Sequence, residues 1–424
     1  MILLYVVQFF LPVLAPVTGL ATGLLVVLTA ADMVLLYRNK EGLSARRQVG
    51  EKLSNGDENQ IQIHLENRYP FAVWARVMDE LPVQFQVRDF EKRLRLEPGK
   101  EVSATFTLRP VRRGEYEFGH LRIFTESPLG LVRRRYTLGE PITVPVYPSF
   151  IQMRRYELIA FAHRGMDAGM KKMRRLGHSM EFDRIKEYVR GDDVRALNWK
   201  ATARAGTLMV NTYREERSQP VYQLIDTGRV MKMPFEQMHL LDHAINTGLV
   251  ISNIVLLKED KAGTILFSNR GADVVPAEKG RAHIRRIQEA LYRVETNFLE
   301  SDFDKLLLTV RRTVPQRSLL LLYTNFESKT AMERRLPQLR NLARHHLLVV
   351  IFFVNTELDD LLERAPSTKK EIYVKTLAEQ FDYEKREIAA TLNRYGIQTI
   401  LTRPEDLSIN TLNKYLELKA RGAL

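Results

Sequence analysis

The chain has 424 residues, of which 45% are hydrophobic, so it is long enough for two or three domains with apolar cores. It contains no Cys, which excludes disulfide bonds, thiol catalysis and zinc sites that use Cys ligands. The formal net charge of +13 predicts an acidic partner: an anionic lipid surface, an acidic protein or a nucleic acid. A membrane surface is the simplest of these, and nucleic acid is not the partner we expect.

Residues 1–37 are apolar and predict a membrane anchor. They contain no Lys or Arg and one acidic residue. Because a span needs about 20 apolar residues, residues 17–36 supply one span and residues 1–14 a short one. Pro12 and Pro16 fall between the two, so we predict a transmembrane hairpin. One long kinked span is an alternative. A cleaved signal peptide is another, although its basic first region is missing.

The residues around the end of this segment predict its orientation. Arg38, Lys40, Arg46 and Arg47 form a basic cluster directly after the span. Such clusters are retained on the cytoplasmic side of a membrane. We therefore expect the soluble part to face the cytoplasm from the inner membrane. Asp32 lies near the end of the span and is expected to reach the membrane interface.

Residues 38–148 predict a β-sandwich domain, because apolar residues alternate there with period two. The alternating runs lie at 61–65, 73–77, 102–108, 116–118, 121–123 and 142–146. Turns rich in Pro and Gly separate them. The domain shows no cluster of His or carboxylate residues, so we expect a structural or protein-binding module.

Residues 149–180 are basic and predict a solvated linker. They include Arg154, Arg155 and the run 171–175, Lys-Lys-Met-Arg-Arg. The spacing of Met and Gly is too irregular for an amphipathic helix. Contact with acidic lipid or with a nucleotide is the alternative interpretation.

Residues 181–218 carry an unusual density of charge. Seven acidic and seven basic residues lie between 181 and 216. Asp193 is expected to cap a helix from Val194 to Arg204. Gly206 would end that helix, and residues 208–213 predict a strand.

The order of these residues resembles the signature of a bacterial family, that of domain of unknown function 58. The matching residues are Lys186-Glu187-Tyr188, Gly191-Asp192-Asp193, Arg195, Leu197-Asn198-Trp199-Lys200 and Ala201-Thr202-Ala203-Arg204. Asn198 departs from the Asp that is usual in the family. The resemblance implies a membrane-anchored protein with a von Willebrand factor type A-like domain after the signature. It also implies a partner role with a MoxR-type AAA+ ATPase, and with other type A-domain proteins, in an envelope chaperone or assembly system.

We expect the signature to present a partner-binding surface. The residues proposed for it are Arg190, Gly191, Asp192, Asp193, Arg195, Asn198, Trp199, Lys200 and Arg204. The competing interpretation is structural. In that case Asp192, Asp193, Arg195 and Arg204 would form an ion-pair network that joins the sandwich to the next domain.

Residues 219–424 predict a doubly wound α/β domain, because strands and helices alternate along them. Strands are predicted at 221–226, 262–267, 319–324, 347–354 and 398–401, and helices at 235–257, 281–294, 330–344, 371–395 and 409–421. The near-continuous apolar runs at 319–324 and 347–354 are typical of central strands covered on both faces.

The loop that begins at Asp226 resembles the Asp-x-Ser-x-Ser loop of type A domains. That resemblance implies a divalent cation held by an Asp, two hydroxyls, a Thr from a second loop and an Asp from a third. Both serines are missing here. We therefore expect a degenerate rim without a resident metal, with magnesium binding as the alternative. The rim residues are Asp226, Gly228, Ser301, Asp302, Thr324 and Asn325.

The sequence predicts an interaction protein rather than an enzyme. It has no phosphate-binding loop followed by Lys and Ser or Thr, and hence no ATPase motif of its own. His178, Ser179 and Asp183 lie too close along the chain to set a catalytic triad by themselves. Two other classes stay open: a metal-dependent ligand-binding or adhesion module of the type A kind, and a hydrolase or nucleic-acid-binding protein that uses the acidic signature.

Overall fold

In the computed structural model the chain divides into two compact units, residues 1–149 and 150–424. The structure describes residues 2–87, 90–162, 180–189, 192–215, 218–235, 237–296, 299–354, 356 and 368–423. The first unit holds an apolar helical segment and antiparallel sheets. The second holds the signature segment and a mixed α/β sheet.

The chain begins with two helices joined by a short turn. Helix α1 is Ile2–Phe10 and α2 is Ala15–Arg38, with a 3-10 turn at Pro12–Leu14 between them. The side chains of Tyr5 and Thr22 share a hydrogen bond of 2.9 Å between the helices. The α2 segment is long and apolar enough to cross a membrane, a test that a signal sequence also passes. At about 1.5 Å per residue, nine-residue α1 is too short to span about 30 Å of hydrocarbon.

The end of α2 is built into the first unit. Asp32 is fully buried, and its Oδ2 accepts hydrogen bonds from the backbone N–H groups of Leu131 at 3.1 Å and Val132 at 2.9 Å. Its carboxylate thus satisfies two backbone donors of a sandwich loop, and its position at the membrane interface stays a prediction. Tyr69 Oη donates to the carbonyl of Leu36 at 2.7 Å.

Ten strands form three sheets around one apolar core in the first unit. The strands are β1 Leu43–Gln48, β2 Leu53–Ser54, β3 Asn59–Asn67, β4 Val73–Asp79, β5 Glu91–Leu96, β6 Glu101–Leu108, β7 Gly114–Phe118, β8 Leu121–Glu126, β9 Arg133–Leu138 and β10 Ile142–Tyr147. The sheet orders are β1-β3-β6, β5-β4-β8-β9 and β2-β10-β7, and all pairs are antiparallel except β2 with β10. This sandwich-like arrangement agrees with the alternating pattern of the sequence.

The second unit starts with a helix instead of a linker. Helix α3, Phe150–Ala162, packs on α5, Leu240–Leu257, and its Met153 and Tyr156 contact the apolar core. The prediction of a solvated connector is wrong for these residues, because the irregular pattern still places two large side chains on one buried face. Residues 163–179, including His178 and Ser179, lie outside the described part of the chain.

The signature segment folds into a small hairpin with one short helix. Strand β11, Met180–Glu187, pairs antiparallel with β12, Met209–Glu215. A 3-10 turn at Val194–Ala196 and helix α4, Trp199–Ala205, lie between the two strands.

The α/β sheet has six strands in the order β17-β16-β13-β18-β19-β20, and only β17 runs antiparallel. The strands are β13 Pro220–Asp226, β16 Lys261–Phe267, β17 Ala272–Glu278, β18 Leu319–Tyr323, β19 Leu347–Phe353 and β20 Gln398–Thr402. The helices besides α5 are α6 His283–Tyr292, α7 Phe303–Thr313, α8 Lys329–His345, α9 Lys369–Arg394 and α10 Leu407–Ala420. Two short strands, β14 Pro234–Phe235 and β15 Met238–His239, pair before α5.

Helices cover both faces of this sheet. Helices α5, α6 and α10 pack into one apolar core, and α7, α8 and α9 into a second core on the other face. Helix α5 is apolar enough to cross a membrane but is a buried core helix here. The predicted α/β alternation is confirmed, while β17 and α7 were not predicted.

Candidate functional site

The direction in which the chain adds strands to the sheet reverses at β13, a central strand. Later elements add β16 and β17 on one side of β13 and β18, β19 and β20 on the other. In open parallel sheets, ligands bind outside the carboxyl ends of strands at such a switch point. Asp226 is the last residue of β13, and Thr324 and Asn325 follow β18 directly. The fold therefore brings most of the predicted rim together at the expected edge.

Asp226 is the centre of this rim. Its side chain is buried and accepts hydrogen bonds from Ser301 Oγ, from Thr324 Oγ1 at 2.7 Å and from the Gly228 N–H at 2.8 Å. Burial raises the pKa of the Asp226 carboxyl, and these three hydrogen bonds and the charge of Arg335 oppose that rise. The carboxyl group is thus already held by protein donors on both oxygens.

Two of the predicted rim residues have other roles. Asp302 caps α7, since its Oδ1 accepts from the N–H groups of Asp304 and Lys305 at 3.0 Å each. Asn325 Oδ1 accepts from the Phe326 N–H at 3.0 Å and from Lys385 Nζ at 2.7 Å. The Oδ1 atoms of both side chains are thus engaged by donors other than those around Asp226.

These residues do not fit a divalent-cation site of the type A kind. A Cβ added to Gly228 would lie 2.3 Å from Ser301 Oγ, so the missing serine cannot be restored without displacing Ser301. Val230, at the other serine position, has no oxygen in its side chain. The Asn325 oxygen faces a lysine ammonium, which would repel a metal ion. Asp226 therefore supplies a single carboxylate, and both of its oxygens already accept hydrogen bonds from protein donors.

Lys385 is a site residue that the sequence did not indicate. It lies on α9, and its Nζ also donates to the Phe326 carbonyl at 2.6 Å. Burial lowers the pKa of Lys385 to about 8, and the charge of Glu327 opposes this change. The sequence could not reveal it, because Lys385 sits among other charged residues in a long helix that reads as solvated.

In the signature segment, the acidic pair supports the local fold. Asp192 Oδ1 forms an ion pair of 2.9 Å with Lys186 Nζ, and its Oδ2 accepts from the Val189 N–H at 3.0 Å. Asp193 Oδ1 accepts from the Arg195 N–H at 2.9 Å and caps the 3-10 turn. Both carboxylates bind groups within the segment itself.

The predicted helix from Val194 to Arg204 is wrong in its first half. The chain forms one 3-10 turn, becomes extended at Leu197, and starts α4 only at Trp199. Asn198 caps α4, because its Oδ1 accepts from the Ala201 N–H at 3.0 Å. Arg195 and Trp199 therefore do not share a helix face. The predicted end of the helix at Gly206 is confirmed by its left-handed φ of 70°.

Two further contacts fix α4 to β12. Asn198 Nδ2 donates to Asn211 Oδ1 at 2.8 Å, and the Met209 N–H donates to Thr202 Oγ1 at 3.0 Å. The polar residues of the signature thus hold the turn, the helix and the strand in one arrangement. This local structure also explains the Asn at 198, whose amide both caps a helix and donates to a neighbour.

Large apolar side chains project from this arrangement into solvent. Trp199 is 69% exposed, Val189 and Val194 are 62% exposed, and Leu208 is 47% exposed. The basic residues Arg195, Lys200 and Arg204 of the same segment are also exposed. Of the other predicted surface residues, Arg190 and Gly191 lie outside the described residues. We call Val189, Val194, Trp199, Leu208 and the three basic residues the signature surface.

Comparison with known proteins supports the family resemblance. Residues 184–368 match the model of the family described as "Protein of unknown function DUF58". The resemblance inferred from the signature is thereby confirmed for this part of the chain. The match runs from the signature hairpin past β19 of the α/β sheet.

One relative and a few solved structures resemble the chain more distantly. Uncharacterized protein YeaD of Bacillus subtilis is 24% identical over 263 residues, which cover 61% of this chain and 63% of that relative. Native alpha-2-macroglobulin of Escherichia coli, from domain MG7 to its C-terminus, has a TM-score of 0.21 at 17% identity and covers 25% of this chain and 16% of that chain. Proximal thread matrix protein 1 of the mussel byssus has a TM-score of 0.27 at 13% identity and covers 45% of each chain.

Proposed function

We propose that this chain, with its DUF58 region, is a membrane-anchored, non-catalytic interaction protein that binds a protein partner through the signature surface. The observation that carries the proposal is the exposure of Trp199 and its apolar neighbours on a segment that hydrogen bonds hold in one shape. Exposed large apolar groups on a rigid support are a feature of protein interfaces.

The signature surface has the composition of an interface hot spot. Trp and Arg are enriched among the residues that contribute most to binding, and truncating such a residue costs about 2 kcal/mol or more. Trp199 supplies the large apolar anchor, and Arg195, Lys200 and Arg204 are exposed basic residues of the same segment. The expected partner surface therefore has an apolar pocket with an acidic rim.

This proposal gives the predicted signature residues two different tasks. Trp199 and the exposed basic residues contact the partner, whereas Asp192, Asp193 and Asn198 maintain the hairpin. Replacing the acidic pair would therefore impair folding and binding together. The apolar and basic residues are better targets for a binding test.

The partner we propose is a MoxR-type AAA+ ATPase of an envelope chaperone or assembly system. Its support is the family resemblance, which the match over residues 184–368 strengthens. The anchor would be α2 in the inner membrane, with the soluble units in the cytoplasm. The apolar exterior of α2 and the basic residues after it support this orientation.

The test is co-purification of the full chain from native membranes in mild detergent, with Trp199→Ala compared against Trp74→Ala. Trp74 is a matched control, because it is 42% exposed and is the only other Trp of the chain. We expect an AAA+ ATPase to co-purify with the wild type and the Trp74 variant. At least a tenfold loss is expected for Trp199→Ala.

Two results would contradict the proposal. One is equal recovery of the ATPase with both variants, which would place the interface elsewhere. The other is recovery of no ATPase with a correctly folded wild type, in buffers with and without nucleotide.

A further inference from the structure

A cavity of about 520 Å³ lies at the carboxyl edge of the sheet, beside the rim around Asp226. Its walls are mainly apolar, and Met233, Phe326, Phe353, Phe381 and Pro404 are among the residues that line it. These residues come from the loops after β13, β18 and β20, from the last residue of β19 and from α9. Pockets of about 300–1,000 Å³ with apolar walls and few polar groups are typical of small-ligand sites.

The charged side chains that line this cavity differ in their hydrogen-bond and ion-pair partners. Arg229 binds both carboxylate oxygens of Glu327 at 3.1 Å, and Asp382 forms an ion pair of 3.0 Å with Arg386. Lys385 instead donates to two neutral oxygens, those of the Asn325 amide and the Phe326 backbone. Within the described chain, no carboxylate lies at ion-pair distance from its ammonium group.

A largely buried ammonium without a direct ion pair is costly. Taking a cation out of water carries a penalty of several kcal/mol, which neutral hydrogen bonds offset only in part. Two of the three N–H donors of Lys385 are used by Asn325 and Phe326. Among the described residues no acceptor lies at the third donor, and an anion there would satisfy the donor and the charge together.

We propose that this cavity binds a small apolar carboxylic acid, with its carboxylate on Lys385 and its apolar body against the phenylalanine and methionine side chains. The apolar walls require a ligand with a hydrocarbon body, and the Lys385 ammonium, which forms no ion pair with a described carboxylate, selects a negative charge. A chain of about eight carbons fits a pocket of this size class. This site is separate from the signature surface and stands independently of the partner proposal.

Octanoate is the probe, and octanol is its neutral control of equal chain length. The full chain in lipid nanodiscs is treated with a small amine-reactive ester, and modification of each lysine is followed by mass spectrometry. Lys370, exposed on the same helix, is the internal reference. We expect octanoate to slow modification of Lys385 at least fivefold relative to Lys370, and octanol to have less than a twofold effect.

Two variants test the geometry by a second readout, the carboxyl ¹³C signal of labelled octanoate. Lys385→Met removes the charge, and Met233→Trp fills the cavity while leaving Lys385 in place. We expect the wild type to broaden the signal and both variants to lose that effect. Because Met233→Trp keeps the hydrogen bonds of Lys385, it remains informative even if Lys385→Met fails to fold.

The proposal is overturned by three results. Equal protection of Lys385 by octanol and octanoate would show that an apolar chain fills the cavity but that its carboxylate is not recognised. Absence of protection by either compound at millimolar concentration would show that neither ligand occupies the cavity. Broadening that persists in Met233→Trp would place the bound carboxylate outside it.

Discussion

Gly228 and Ser301 show how closely the rim around Asp226 is packed. Ser301 Oγ occupies the space that a side chain at position 228 would need, and it donates to the Asp226 carboxylate from there. The contact explains why a loop that resembles a metal-binding motif can stay folded without its serines. The hydroxyl group of Ser301, in the loop before α7, donates a hydrogen bond to Asp226 in their place.

Gly228→Ser is expected to destabilise this edge of the sheet by about 1–3 kcal/mol, because an added Cβ would overpack against Ser301. The measurement is hydrogen exchange of the β13 amides in the full chain. Adding Ser301→Gly should recover part of the lost protection, since the Oγ contact disappears. Unchanged exchange in Gly228→Ser would contradict the close packing, and magnesium-dependent protection in that variant would revive the metal interpretation.

For the individual residues of the rim, the sequence predicted which side-chain oxygens lie close together but not which groups they bind. Asp226 and Thr324 were expected at one edge because parallel strands end together there, and Ser301 because of the resemblance to type A domains. Lys385 and its bond to Asn325 could not be predicted, because a residue 60 positions away reaches the site only through the packing of α9.

Several strands with charged sequences could not be predicted from the sequence. Strands β1, β5 and β9 lie at sheet edges and read LSARRQ, EKRLRL and RRRYTL. Edge strands carry charge on both faces, which protects them from pairing with other chains but removes the period-two pattern. Strand β11, MEFDRIKE, was missed for the same compositional reason.

The signature helix was misplaced because two capping residues compete there. Asp193 and Asn198 both accept from the backbone, and Leu197 between them forms an isolated bridge with Val210 of β12. Local sequence favours a helix from the first cap, whereas pairing with β12 holds Leu197 extended. Long-range pairing therefore decides where α4 begins.

Substitutions at position 198 test whether the Asn198 cap stabilises α4. Asn198→Ala should lose the cap of α4 at a cost of about 1 kcal/mol, seen as faster hydrogen exchange over residues 199–205. Asn198→Asp should keep most of the protection, because a carboxylate caps as well and the Asn211 amide can turn to donate to it. Equal loss in the two variants would show that the cap does not hold the helix.

For the whole molecule, the first unit joins its apolar helix to the sandwich by specific contacts. The guanidinium of Arg134 donates to the carbonyls of Leu36 at 2.5 Å, Asn39 at 2.6 Å and Lys40 at 3.0 Å. One of these carbonyls lies in the last turn of α2, and the other two belong to the residues that follow it. One side chain thus satisfies acceptors that a helix terminus leaves open. The apolar helix is thus continuous with a folded domain.

Arg134→Ala should loosen this junction and speed cleavage by a Glu-specific protease after the exposed Glu41 at least fivefold. Arg135→Ala is the matched control, because Arg135 is exposed on the same strand and its side chain points to the other face. Arg134→Lys should resemble Arg134→Ala, since an ammonium cannot bridge three carbonyls in the same geometry. Equal cleavage of the Arg134 and Arg135 variants would contradict the role of the guanidinium.

The sequence predicted the broad architecture because long apolar patterns dominate it. The apolar start, the period-two region and the α/β alternation each extend over many residues. Helix α3 was missed because its sequence, FIQMRRYELIAFA, lacks a clear apolar stripe although it packs on α5. The buried role of Asp32 depends on a loop about 100 residues later, which no local pattern indicates.

The most direct test of the proposed function is photo-crosslinking in living cells with a benzophenone amino acid at position 199 and, separately, at position 74. The full chain is kept in its native membrane, and crosslinked products are identified by mass spectrometry. We predict that position 199 captures an AAA+ ATPase and that position 74 does not. Capture at position 74 alone, or at neither position with the chain correctly folded, would contradict a partner-binding role for the signature surface.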